Sequence, residues 1–169
     1  EATGRRCLAT YTIIRGADYT RRIASKGACY TRLRVSVEEI RASSFVNGRF
    51  VIPAGARDHR VDAEIGFNES VHVWALFPHT HLRGKRWEYK LEHADGRSEV
   101  ILSVPRYDFN WQTYYIFEKP LAIPATSRIT SAAWYDNSPD NPSNPNAKSE
   151  VRWGDQTWEE MQYTGFLYT

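Results

Sequence analysis

Two histidines stand at i and i+2 in Phe77-Pro-His-Thr-His-Leu-Arg-Gly84, directly after an alternating apolar run. In extended backbone, side chains two apart leave the same face, so the imidazoles of His79 and His81 converge on one point above a sheet. That is half of a metal site, and imidazole alone does not choose among zinc, copper, iron and nickel. A third ligand would choose. The chain has a single methionine, Met161, in Thr157-Trp-Glu-Glu-Met-Gln162. A thioether suits soft ions, above all Cu(I). A His79, His81, Met161 set therefore selects one copper ion and leaves a position open for an exogenous ligand. Two plainer readings stand beside it: a His-x-His pair that binds nothing, and a Met161 that fills a gap in the core.

The remaining chemistry-bearing residues form no comparable set. His59 lies in a turn-like Arg57-Asp-His-Arg60, His72 has the parity opposite to Val71 and Val73, and His93 sits near Asp95 at a hairpin tip. Each reads as a surface or hydrogen-bonded histidine. The chain carries no Gly-x-Ser-x-Gly, phosphate loop or His-Glu-x-x-His, so no catalytic residue is assigned beyond the metal ligands. Cys7 and Cys29 fit neither a CxxC redox pair nor a zinc knuckle; one disulfide and two buried thiols are both compatible with them.

The elements that must position the histidines read as strands. From residue 50 onward, short apolar or alternating runs at 61–67, 71–77, 86–92, 99–104, 113–117, 128–135 and 162–168, with shorter ones at 49–52 and 151–153, are separated by turn residues. Asp95-Gly96 tolerates the positive φ of a tight turn, so 86–104 reads as a β-hairpin. Residues 35–42 could supply a short helix, and the only strands visible before residue 45 are 8–14 and 30–35. Six Trp, ten Tyr and seven Phe suit pleated surfaces. Without long helices, the sheets must bury their faces on each other, which predicts an all-β, antiparallel jelly-roll β-sandwich. The stretch 135–146, with three prolines and four asparagines, must be a long loop. Residues 1–45 are read as an N-terminal segment of undetermined structure and 46–169 as the copper-binding domain.

Charge and length exclude several classes. The 22 basic and 20 acidic side chains are interspersed, for a net charge of +2, which predicts no nucleic-acid role. The basic stretch from Arg5 to Arg34 reads as a solvated face or an arm. No apolar run reaches the roughly 18 residues of a membrane span. At 169 residues the chain can bury a core without staples.

Residues 50–169 resemble the C-terminal domain of the copper type II, ascorbate-dependent monooxygenases, the peptidylglycine α-hydroxylating and dopamine β-monooxygenase family, in a bacterial relative. The similarity is carried by Phe50-Val-Ile-Pro-Ala-Gly55, Pro78-His-Thr-His-Leu-Arg-Gly-Lys85, Val104-Pro-Arg-Tyr-Asp-Phe-Asn-Trp-Gln112, Tyr135-Asp-Asn-Ser138 and Trp153-Gly-Asp-Gln-Thr-Trp-Glu-Glu-Met161. The resemblance implies a jelly-roll domain whose methionine-bearing copper, on His79, His81 and Met161, binds dioxygen and hydroxylates a small organic substrate. It also implies a second copper domain, upstream in a longer protein, that relays an electron from ascorbate or a similar reductant. A periplasmic or extracellular location goes with it, and the chain alone would be an inactive half.

The chain departs from the family where peptide-hydroxylating members place an Arg two residues before the first histidine: here stands Phe77. Tyr163 and Gly165 stand where those members use Asn and Tyr after the ligand methionine. A peptide ending in glycine is therefore not the expected substrate. Alternatives are a non-enzymatic copper-binding or electron-transfer module on the same fold, and a structural or carbohydrate-binding jelly roll with an incidental His pair.

Overall fold

The structure, a computed structural model, describes residues 12–13 and 38–169. The strand readings at 8–14 (apart from residues 12–13) and 30–35, the basic stretch and both cysteines lie outside them. Every regular element among the described residues is a strand: β1 (Thr12–Ile13), β2 (Glu38–Glu39), β3 (Arg41–Val46), β4 (Val51–Ile52), β5 (His59–Gly66), β6 (Val71–His79), β7 (Gly84–Glu92), β8 (Ser98–Val104), β9 (Tyr115–Ile123), β10 (Arg128–Tyr135), β11 (Val151–Arg152) and β12 (Tyr163–Tyr168). None of the described residues forms a helix long and apolar enough to cross a membrane.

The two large sheets have the orders β5-β10-β7-β8 and β3-β12-β6-β9, all antiparallel. Their pairings nest: β3 with β12, β5 with β10, β6 with β9, β7 with β8. A long hairpin with β7 and β8 at its tip, rolled so that alternate arms fall in opposite sheets, gives this order. It is the jelly roll expected from the sequence. The small pairs β1-β2 and β4-β11 lie outside the two sheets.

Alternation explains which faces meet. Along β7, Trp87, Tyr89 and Leu91 point inward while Arg86, Glu88 and Lys90 alternate with them. From the other sheet, Val73, Leu76 and Phe166 enter the same core. Trp87 stacks on Tyr89 at 5.5 Å, and Phe67 meets Phe166 edge-on at 6.2 Å. A small polar seam crosses between the sheets: Gln162 Nε2 donates to Ser131 Oγ (2.8 Å), and Thr164 Oγ1 lies 3.3 Å from both Ser131 Oγ and the Tyr89 hydroxyl.

Three local expectations change. Of the residues read as a short helix, Glu38–Glu39 pair with β1, and Arg41–Ala42 open β3, which gains backbone partners along β12 from Arg41↔Tyr168 to Val46↔Tyr163. Tertiary pairing outweighs the weak helical pattern there. His59, read as a turn residue, begins β5 opposite Tyr135. The strand expected at 113–117 runs instead through Pro120 as β9; it is an edge strand, with a register irregularity opposite Trp74, where a missing N–H is tolerated. The hairpin is as expected, with Gly96 at φ 86°.

The 136–149 loop is ordered by its own amides. Asn137 is fully buried and its Nδ2 donates to the carbonyls of Pro53 and Ser149, both at 2.9 Å. Asn141 and Asn144 likewise donate to backbone carbonyls of Asp136 and Ser138.

Candidate metal centre

His79 is the last residue of β6, and His81 follows where the chain leaves the sheet. β9 pairs with β6 only as far as Leu76, so Pro78 has a strand neighbour on one side alone, the place a strand proline fits. Beyond it, a turn closes with Gly84 N–H donating to the His81 carbonyl (3.2 Å). Gly84 is required here: a Cβ on it would lie 1.8 Å from Thr80 Oγ1 and 2.7 Å from Thr80 Cβ.

The two imidazoles meet at right angles, centroids 5.2 Å apart and planes at 83°. Imidazoles that share one tetrahedral ion through nitrogens about 2 Å away have centroids about 5 Å apart. The spacing fits. Each ring is also held in a fixed tautomer. Gln112 Oε1 lies 2.5 Å from His79 Nδ1, and the same amide donates through Nε2 to the Phe109 carbonyl (3.0 Å), so its oxygen must face the ring. The Glu159 carbonyl lies 3.3 Å from His81 Nδ1. Both partners only accept, so both Nδ1 atoms carry the proton and both Nε2 lone pairs are free for a metal, as the outer partners of metal-bound histidines arrange them. Burial lowers both pKa values, and the two rings' mutual repulsion lowers that of His79 further, against the opposing bonds from Gln112 and the Glu159 carbonyl. At neutral pH both are therefore uncharged, the form that ligates metal.

Met161 arrives on the chain between β11 and β12. Tyr163, two residues on, is the register partner of His79, their rings 6.1 Å apart. Met161 is half-buried; its carbonyl accepts from the Tyr135 hydroxyl (2.7 Å), and its N–H donates to Glu160 Oε2 (3.3 Å). The same oxygen accepts from His81 N–H at 2.7 Å. The backbones that carry His81 and Met161 are thus held on one atom. Among the described residues no group of three or more His, Cys, Asp or Glu is placed to hold a metal.

Several residues of this centre were not read from the sequence. Tyr107 spans Thr80, its hydroxyl accepting from Thr80 N–H (3.2 Å) and donating to Thr80 O (2.9 Å). Glu160, fully buried, also accepts from Arg83 N–H through Oε1 (2.6 Å); burial pushes its carboxyl up to about 7 against these bonds and the charge of Arg83. Arg83, itself buried, ties the centre to the asparagine loop through Asn137 Oδ1 and to the Trp158 carbonyl, both 2.9 Å. Tyr107, Gln112 and Glu160 all lie inside the segments quoted for the resemblance, which is the signal that could have found them.

Aromatic rings wall the centre. Phe77 packs against Tyr114 with tilted rings at 4.8 Å and stacks on His79 at 6.2 Å, and Phe109 meets His81 edge-on at 6.1 Å. Trp111, Tyr114 and Trp158 are exposed. The other histidines stay apart: His72 faces out from β6, His93 pairs with Glu99 (3.2 Å) and His59 lies on β5.

No family model matches the chain, and no curated protein matches it. Among solved structures it is similar to that of infectious bursal disease virus Gx strain (13% identity, TM-score 0.36, covering 86% of this chain and 37% of that one). The infectious bursal disease virus VP2 subviral particle gives 12% identity and a TM-score of 0.38, over 85% of this chain and 36% of that one. The chain thus spans little more than a third of the length of those proteins, and likeness of this degree carries no information about what it does.

Proposed function

We propose that this chain holds one copper ion on His79, His81 and Met161 and is the oxygen-reacting half of a copper-dependent monooxygenase, working with a reductant such as ascorbate and a second copper domain. The observation that carries the reading is the pair of perpendicular imidazoles, 5.2 Å apart, with both Nδ1 protons taken up by oxygens. The bound ion would supply one-electron chemistry with dioxygen, for which Cu(I) is the reactive form. In the overall reaction one oxygen atom enters a substrate C–H bond and the other leaves as water, consuming two electrons and two protons from the reductant.

The chain's own residues orient and exclude. Gln112 and the Glu159 carbonyl fix the rings, and Phe77, Tyr114 and Phe109 shed water from the face beside them. Phe77 offers no charge to a carboxylate, which supports an organic substrate other than a peptide C-terminus. A periplasmic or extracellular location belongs to the same reading.

Competition against a chromophoric Cu(I) chelator tests it. The purified chain should take up about one Cu(I) per molecule and prefer it to zinc, and His79→Ala or His81→Ala should abolish tight binding. Met161→Ala should weaken Cu(I) while leaving Cu(II) bound by the imidazoles, and X-ray absorption of the reduced protein should show a sulfur scatterer. Zinc bound as tightly as Cu(I), or indifference to His79→Ala, would overturn the assignment.

A further inference from the structure

We infer that Glu160 is the positioning residue of this centre: its carboxylate fixes the distance between the His81 backbone and the Met161 backbone, and thereby the register of the thioether against the imidazoles. Adjacent glutamates divide the work. Glu159 bonds back within its own turn, Oε2 accepting from Gln156 N–H (3.0 Å), and its carboxyl lies against Gly154. Glu160 instead reaches across to the 81–83 turn. Its own backbone is anchored on the far side, N–H to the Arg152 carbonyl (3.2 Å) and carbonyl to Gly154 N–H (3.1 Å). A rigid support therefore carries a side chain that grips the other ligand segment.

Only a carboxylate can do this. Three backbone N–H groups, of His81, Arg83 and Met161, converge on its two oxygens, and all three are donors. A carboxamide has one accepting oxygen, and its NH2 would face at least one N–H donor head-on. A shorter aspartate keeps the charge and loses the reach. Both carboxylate oxygens are taken up by backbone donors, so the residue acts through His81 and Met161.

The inference rests on the copper reading, and the test separates the two. In wild-type protein without metal, the amide protons of His81 and Arg83 should exchange as slowly as those of the central strands; exchange at the rate of open loops would overturn the inference whatever copper does. With Cu(I), Glu160→Gln should lose affinity about 10- to 100-fold, and the sulfur scatterer should fade from the reduced X-ray absorption while nitrogen scattering stays. Glu160→Asp should restore part of both. Ile129→Val, in the opposite sheet, controls for general loss of stability and should leave the affinity alone. Unchanged affinity and sulfur scattering in Glu160→Gln would sink the role of Glu160. Absence of Cu(I) binding by the wild type would sink the copper reading instead.

Discussion

Thr80 stands between the two imidazoles with its backbone N–H and carbonyl both bonded to one phenol, Tyr107. Because Thr80 is fully buried, Tyr107→Phe leaves two polar groups without partners, at a cost of about 1–3 kcal/mol each at most. The urea midpoint should fall with an unchanged slope, and Cu(I) affinity should fall too, since the backbone joining the ligands is loosened. Gln112→Ala acts more narrowly. It frees the His79 ring to turn, so Cu(I) affinity should drop about 10- to 100-fold with little change in thermal stability; an equal loss in both would mean that Gln112 is only packing. At this scale the histidine pair was legible because i, i+2 is a local relation. Gln112 and Glu160 were not, since their partners stand 33 and 77–79 residues away in sequence and no local spacing encodes that.

The turn after β6 works only with glycine at 84. Gly84→Ala should destabilise by about 1–3 kcal/mol, because the added methyl meets buried Thr80 and neither can yield freely. Gly66→Ala, at the end of β5 with nothing within 4 Å, is the matched control and should leave the melting temperature nearly unchanged. Differential scanning calorimetry on the pair separates the effect of crowding from that of merely losing a glycine. The inner strands were readable as elements where burial alternates along them, as in β7. What failed was marginal: Pro120 masked the second half of β9, and β3, exposed but for Phe45 at 8%, shows too little alternation to betray a strand. Edges owe their form to the neighbour they pair with.

For the whole molecule, the core is built from both sheets without any contribution from the centre's ligands, so chelation should leave the fold intact. Near-ultraviolet circular dichroism of metal-free protein should keep its aromatic bands; their loss would show that metal is structural. The core also predicts the alkaline limit. Burial pushes the phenols of Tyr89 and Tyr135 well above their usual value, whereas in the unfolded chain both ionise near pH 10. Their contribution is present below pH 10 and is lost as pH rises beyond it, because the unfolded state gives up protons first. Tyrosinate absorbance should therefore rise in two stages, the second coinciding with loss of circular dichroism. The sandwich was legible from composition and alternation. Its nested order was not, because pairings such as β3 with β12 join segments more than a hundred residues apart.

The placement of β12 between β3 and β6 bears on how the molecule comes into being. Both of its neighbours are made long before it, and they wait with open edges until residues 163–168 exist to join them. Closure over such separations is slow, on the order of milliseconds to seconds for sandwiches of this kind. The histidines come with the early strand and Met161 with the late one. Stopped-flow refolding in the presence of Cu(I) should accordingly show tight capture only in the slowest phase, the ion reporting the moment at which the sheet is completed.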